Sequence, residues 1–155
     1  MGMFLSQLGA LEDRADFLLF DTSAGLDNRV VTFLKEADEI IIVTTPDPSS
    51  VTDAYATVKV ASHRAQGKPV SVIVNMASSQ AEAGAVFRTL SDVAMRFLGT
   101  SLSYLGMVPM DPAAAFCVRN RRPFILSAPD CPASRALMEI AEILADCPSS
   151  LAIAA

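Results

Sequence analysis

The residues best placed to do chemistry lie in FLLFDTSAGL, Phe17 to Leu26, where four apolar residues run into an aspartate and then a small-residue turn ending in glycine. A short unbroken apolar run reads as a buried parallel strand. The carboxylate at its C-terminal end stands where open α/β sheets bind ligands. Asp21 there is suited to holding a hydrated Mg²⁺, and the Ala24-Gly25 amides to facing a terminal phosphate. The competing role for Asp21 is a polar strand end that caps the next helix. Gly25 serves either close approach of a phosphate or a tight turn at positive φ, and both need the missing side chain. A segment of this kind normally works with a phosphate-binding loop, yet no G-x-x-x-x-G-K-[ST] occurs in the sequence.

Strand and helix signals alternate around these residues. Strands are expected at 17–21, 39–45, 70–76 and 102–108. Asp27 or Asn28 can cap a helix ending near Ala37, and Ser49 or Ser50 one ending near Gln66 with Gly67 as its stop. A long helix runs from Ser79 to Leu98 before Gly99, a short one from Pro112 to Val118, and a last one from Ala133 to Ala145. Such alternation predicts an α/β fold of three layers, a mostly parallel sheet with helices on both faces. Residues 1–148 read as one domain, and 149–155, small and weakly patterned, as a flexible tail.

With 155 residues, 52% of them apolar and 19% charged, the chain can bury a substantial core. Its net charge of −5 argues against nucleic-acid binding, which rests on Lys and Arg neutralising phosphates. Three widely spaced cysteines (Cys117, Cys131, Cys147) suit reduced thiols and match neither a disulfide framework nor a zinc site. The start lacks a basic n-region, and no window is apolar enough to span a membrane. A cytoplasmic protein is expected.

In order along the chain, DTSAG (21–25), ADEIIIVTTPDPSSVTDAYA (37–56), VIVNMA (72–77) and GMVPMD (106–111) resemble the MinD/ParA family of P-loop ATPases. The TTPDPSSVTDAYA stretch is most similar to the flagellar-number regulators FlhG and FleN. The resemblance covers about residues 16–144. It implies ATP and Mg²⁺ in the intact family member, with Asp21 as the metal-linked carboxylate. It also implies that Asn75 hydrogen-bonds an adenine ring, for which an amide offers both donors and an acceptor, and that Pro109 lines the base pocket through the loop Pro109 to Asp111. The alternative for Asn75 is an Asx-type turn after its strand.

Family members begin with a strand and a lysine-bearing loop that this sequence does not contain. It reads as the C-terminal portion of such an ATPase, a spatial or flagellar-number regulator that is inactive alone, with no catalytic residue in isolation and no tightly bound nucleotide. The alternative is a natural paralogue without the loop, acting as an interaction protein. A receiver-like module is disfavoured, since Lys68 precedes its strand instead of ending it. Homo-oligomers and a flagellar or cell-division partner protein are expected.

In the family the P-loop strand lies between the strands matching 17–21 and 39–45. Its loss is expected to let Phe17–Phe20 close directly on Ile40–Val43, while exposed apolar surface still promotes self-association.

Among the remaining residues, Asp47 and Asp53 flank the start of the second helix, with Asp53 in its first turn. His63 reads as a surface residue near a helix end, and Arg119 to Arg122 as a basic turn that is either a solvated loop or a contact for an acidic partner or a nucleotide phosphate. Glu139 and Glu142 make the last helix acidic on its polar face, unlike a membrane-targeting helix.

Overall fold

The computed structural model describes residues 15–22, 28–146 and 151–154. The elements follow in the order β1 (Leu18–Asp21), α1 (Asn28–Glu36), β2 (Glu39–Thr44), α2 (Pro48–Arg64), β3 (Val70–Ala77), α3 (Gln80–Leu98), β4 (Ser103–Pro109), α4 (Pro112–Arg119), α5 (Phe124–Ser127), α6 (Pro132–Ala145) and β5 (Leu151–Ala154). All five strands are parallel, in the order β1-β5-β2-β3-β4.

The two-residue period of the strands divides the core into layers. Ile40 and Ile42 of β2, with Val70, Val72 and Val74 of β3, pack beneath α1, α2 and α3 through Leu34, Val58 and Leu90. Their neighbours Ile41 and Ile73 point the other way and meet Ala133 and Ile140 of α6. The predicted three-layer parallel α/β architecture is therefore present.

Between β2 and β3 the apolar ladder is interrupted by one polar contact, the Ser71 hydroxyl donating to Glu39 Oε1 at 2.7 Å. In β4 the register slips, so that Tyr104 faces Val72 and Gly106 faces Ile73. Gly106, at φ 155°, lies under α6, where an added Cβ would stand 2.9 Å from Ile140 Cγ1. Only glycine permits that approach.

Two expectations about the sheet need correction. Phe17–Phe20 does not close directly on Ile40–Val43. Residues 151–154, expected within a flexible tail, form β5 and lie between them. The register pairs Leu18, Leu19, Phe20 and Asp21 with Leu151, Ala152, Ile153 and Ala154, and pairs Glu39, Ile40 and Ile41 with Ala152, Ile153 and Ala154. The physical reason is that two strands with open inner edges each need a partner for their N–H and C=O groups. A short uncharged segment that lacks proline satisfies both edges at once.

Helix starts also differ from expectation. Asp47, instead of Ser49 or Ser50, caps α2, accepting the Ser49 amide at 2.8 Å with Pro48 as the first helical residue. Proline suits that position because its missing N–H would have no helical partner. The helix stops at Arg64, and Gly67 turns the chain at φ 81° two residues past the Ala65 cap. Ser79 and Gly99 bound α3 as expected, Gly99 in the left-handed region at φ 62°. The candidate caps Asp27 and Asn28 offer nothing to compare, Asp27 lying outside the described residues.

Candidate functional site

Because all strands run the same way, their C-terminal ends share one edge of the sheet. Thr44 closes β2 there, almost fully buried, with its hydroxyl 3.1 Å from Ser50 Oγ. The Thr45 amide donates to the same Ser50 oxygen at 3.0 Å. This pins the turn into α2 and leaves Val43, 42% exposed, facing open space beside β3.

That space is a cleft of about 510 Å³. Its floor is Val43, Ile73 and Val108, and its far wall is Phe124 and Leu137. Asn75 and Pro109, the two residues assigned to a base pocket, both line it, with Met110 and Asp111 completing the expected loop. Asn75 is half-buried, and its Oδ1 accepts the Met76 amide at 2.9 Å. Its NH₂ group is thereby left to donate to a ligand. The local Asx-type bond and the pocket-lining position therefore coexist. Met76 follows in the left-handed region at φ 58°, uncommon for a residue with a side chain.

Asp111 was expected only as a member of the loop, but it holds the cleft together. Its Oδ1 accepts the Ala113 amide at 2.8 Å, capping α4, and its Oδ2 accepts the Ala133 amide at 3.0 Å in the first turn of α6. The Ala133 amide, followed by the Ala113 amide and the Cys131 thiol, holds the carboxyl below the usual carboxylate range. The Asp-Pro pair signals the first cap in the sequence. No local signal reveals the second, made across 22 positions.

Beside it, Ser134 is fully buried and donates to the Ala128 carbonyl at 2.8 Å, fastening α5 to α6. Arg119 lines the cleft and is its cation among the described residues, which favours the ligand-contact reading of the basic turn over the solvated one. A separate shallow cleft of about 530 Å³ lies on the outer side of α4, lined by Phe116, Cys117 and Asn120 among others.

Asp21 ends β1 on the same edge as Asn75 but three strand positions away, about 14 Å at the usual strand spacing. The two are not brought into one pocket. Gly25 lies outside the described residues. Among the described residues no group of three or more His, Cys, Asp and Glu side chains could hold a metal ion. Asp21 offers one carboxylate, which fits Mg²⁺ only where a phosphate and water supply the other oxygens.

Asp53 falls in the second turn of α2 and not the first, because the helix begins at Pro48. His63 does lie in the last turn of that helix. No helix among the described residues is long and apolar enough to cross a membrane.

The cleft has apolar walls, the Asn75 amide and, among the described residues, a single lining cation, Arg119. It fits a flat, weakly polar ring with hydrogen-bond acceptors on its edge. A cleft at the carboxyl ends of a parallel sheet stands where open α/β domains bind their ligands. Residues 4–145 match the ParA family, described as NUBPL iron-transfer P-loop NTPase, and the chain belongs to that family.

Among its relatives, the antiactivator FleN of Pseudomonas aeruginosa is 34% identical over 132 residues, 85% of this chain and 47% of FleN. The flagellum site-determining protein YlxH of Helicobacter pylori is 32% identical over 145 residues, 93% of this chain and 48% of YlxH. The chain thus spans about half the length of these relatives. The fold is similar to that of the cell division ATPase MinD of Pyrococcus furiosus, with a TM-score of 0.68 at 22% identity over 88% of this chain and 54% of MinD.

Proposed function

We propose that this chain carries the base-binding part of a MinD/FlhG-type nucleotide site, in a cytoplasmic regulator of flagellar number or placement that self-associates. The observation that carries this reading is the cleft at the ends of β2, β3 and β4, where Asn75 and Pro109 stand together over apolar walls. Adenine is the ring we assign to it, with the Asn75 NH₂ donating to a ring nitrogen and Val43, Ile73 and Phe124 covering its faces. The names of FleN and YlxH support the flagellar assignment.

Phosphoryl transfer needs cationic and amide groups arrayed around the β- and γ-phosphates. The sequence holds no phosphate-binding loop motif, and Arg119 is the cation lining the cleft. The chain by itself therefore binds adenine nucleotides weakly and hydrolyses none. Asp21, distant from the cleft, acts on Mg²⁺ only where a bound triphosphate brings the metal to it.

Calorimetry with adenosine, AMP and Mg-ATP tests this. Similar weak affinities for all three, each reduced by Asn75→Ala, are expected. Micromolar Mg-ATP binding, or turnover abolished by Asp21→Ala, would overturn it. A second reading, an interaction protein without nucleotide chemistry, draws support from β5, which fills the place between β1 and β2 with the chain's own residues.

A further inference from the structure

We propose that the outer face of α6 is a two-fold contact between copies of this chain, in which Arg135 of each copy pairs with Glu142 of the other. This rests on the self-association in the reading above and gives it a surface. It is independent of the nucleotide cleft.

The face is defined by what α6 buries. Ala133, Ser134 and Ile140 are buried, and Ile140 packs with Ile41 and Ile73 of the sheet. At about 100° per residue, Arg135, Met138 and Glu142 lie within roughly 40° of the direction opposite Ile140. All three are exposed, Met138 at 51%. This face looks outward from a helix layer, so its exposure does not come from a gap between strands.

The polar face of α6 reads as acidic, but Arg135 gives it a charge of the other sign. Pro132, Arg135, Met138, Glu142 and Ala145 follow one another at helical spacings of three and four along the outer stripe. Turned end for end, the stripe matches itself. In an antiparallel pair centred beside Met138, Pro132 meets Ala145 of the other copy, Arg135 meets Glu142, and the two Met138 side chains meet near the axis. Within one helix Arg135 and Glu142 are separated by about 10 Å along the axis, too far to pair with each other. An isologous contact uses one patch twice and makes both ion pairs together.

The occupant of this face is therefore a second copy, carrying the complementary charges in the complementary order. Parallel packing would set Arg135 against Arg135 and Glu142 against Glu142, so the charges select the antiparallel register. Glu139 is the cost of that register, because its two copies flank the axis. One helix pair is a small interface, which makes the dimer reversible and sensitive to salt.

The test is sedimentation of the full chain at rising concentration. The unsubstituted chain is expected to dimerise, less so as sodium chloride is added. Arg135→Glu and Glu142→Arg should each weaken the dimer by roughly tenfold, two exposed ion pairs being turned into like-charge contacts. An equal mixture of these two variants should form a heterodimer, and the chain carrying both changes should dimerise by itself. Glu139→Gln should tighten the dimer.

A second arm places Met138→Cys in a chain with Cys117→Ala, Cys131→Ser and Cys147→Ser. Oxidation is expected to give a covalent dimer whose linked peptides, by mass spectrometry, join position 138 to position 138. A dimer that survives both single reversals, single variants that do not recombine on mixing, or a dimer without the 138–138 bond overturns the α6 contact and leaves self-association through another surface. A monomer at all concentrations overturns both. Where a charge variant fails to fold, the 138–138 bond decides.

Discussion

The Oδ2 of Asp111 lies 3.0 Å from the amide of Ala133, while its Oδ1 lies 2.8 Å from that of Ala113. One carboxylate thus starts two helices that form opposite walls of the cleft. Asp111→Ala should lower the thermal midpoint and weaken adenosine binding together, since both walls lose their anchor. Asp111→Asn, with one carbonyl oxygen, should fall between the two. Scanning calorimetry with binding measured alongside checks the order.

The same carboxylate gives a pH dependence of known sign. Its folded-state pKa is lowered by the Ala133 amide first, and then by the Ala113 amide and the Cys131 thiol. Its contribution to stability is therefore complete above the ordinary carboxylate range and is lost as pH falls through the lowered folded value. The stability gap between the unsubstituted chain and Asp111→Ala should be constant near neutrality and shrink in acid. A gap that grew as pH fell would contradict the double cap.

Asn75→Ala should weaken adenosine binding by about two- to tenfold, the range expected when a hydrogen bond of about 0.5–1.5 kcal/mol is lost. Isothermal titration measures it. Adenosine bound equally well by Asn75→Ala would place the base elsewhere.

Met76 adopts φ 58° with its side chain half exposed, so little packing compensates the backbone cost. Met76→Gly should leave stability unchanged or raise it by about 1 kcal/mol, and Met76→Val should lower it, since a branched Cβ tolerates this region worst. Urea unfolding of the pair separates the two effects.

Gly106→Ala should destabilise by about 1–3 kcal/mol through overpacking against Ile140. Adding Ile140→Ala should recover part of that loss, because the contacting side-chain atoms are removed. Additive losses in the double variant would mean that the clash lies in the backbone.

Much of this architecture is legible in the sequence, for reasons that differ by element. Runs such as EIIIVTT and VSVIVNM are apolar on both faces, which only a strand covered by helices on both sides requires, and β2 and β3 are found there. Ser79 and Gly99 punctuate α3 through purely local chemistry, a side-chain cap and a left-handed stop. Asn75 and Pro109 meet because parallel strands put their ends on one edge. The strand at 151–154 has no such signature. Its sequence is short and small, and its conformation comes from two ladders supplied by residues more than a hundred positions earlier. The second bond of Asp111 is hidden for the same reason. Arg119 has two readings in the sequence, solvated or ligand-facing, and only the placing of α4 beside the cleft separates them.

The sheet order also sets a timetable for the nascent chain. Leu18–Asp21 leaves the ribosome first among the five described strands, yet its ladder partner among the described residues is Leu151–Ala154. At typical synthesis rates, roughly ten seconds or more separate the two segments. During that interval β2, β3 and β4 can pair with one another, while LLFD waits for the partner it has among the described residues. The earliest of the described strands to be made is the last of them to be seated, and the interval is a window in which a chaperone, or a neighbouring chain on the same message, has access to it.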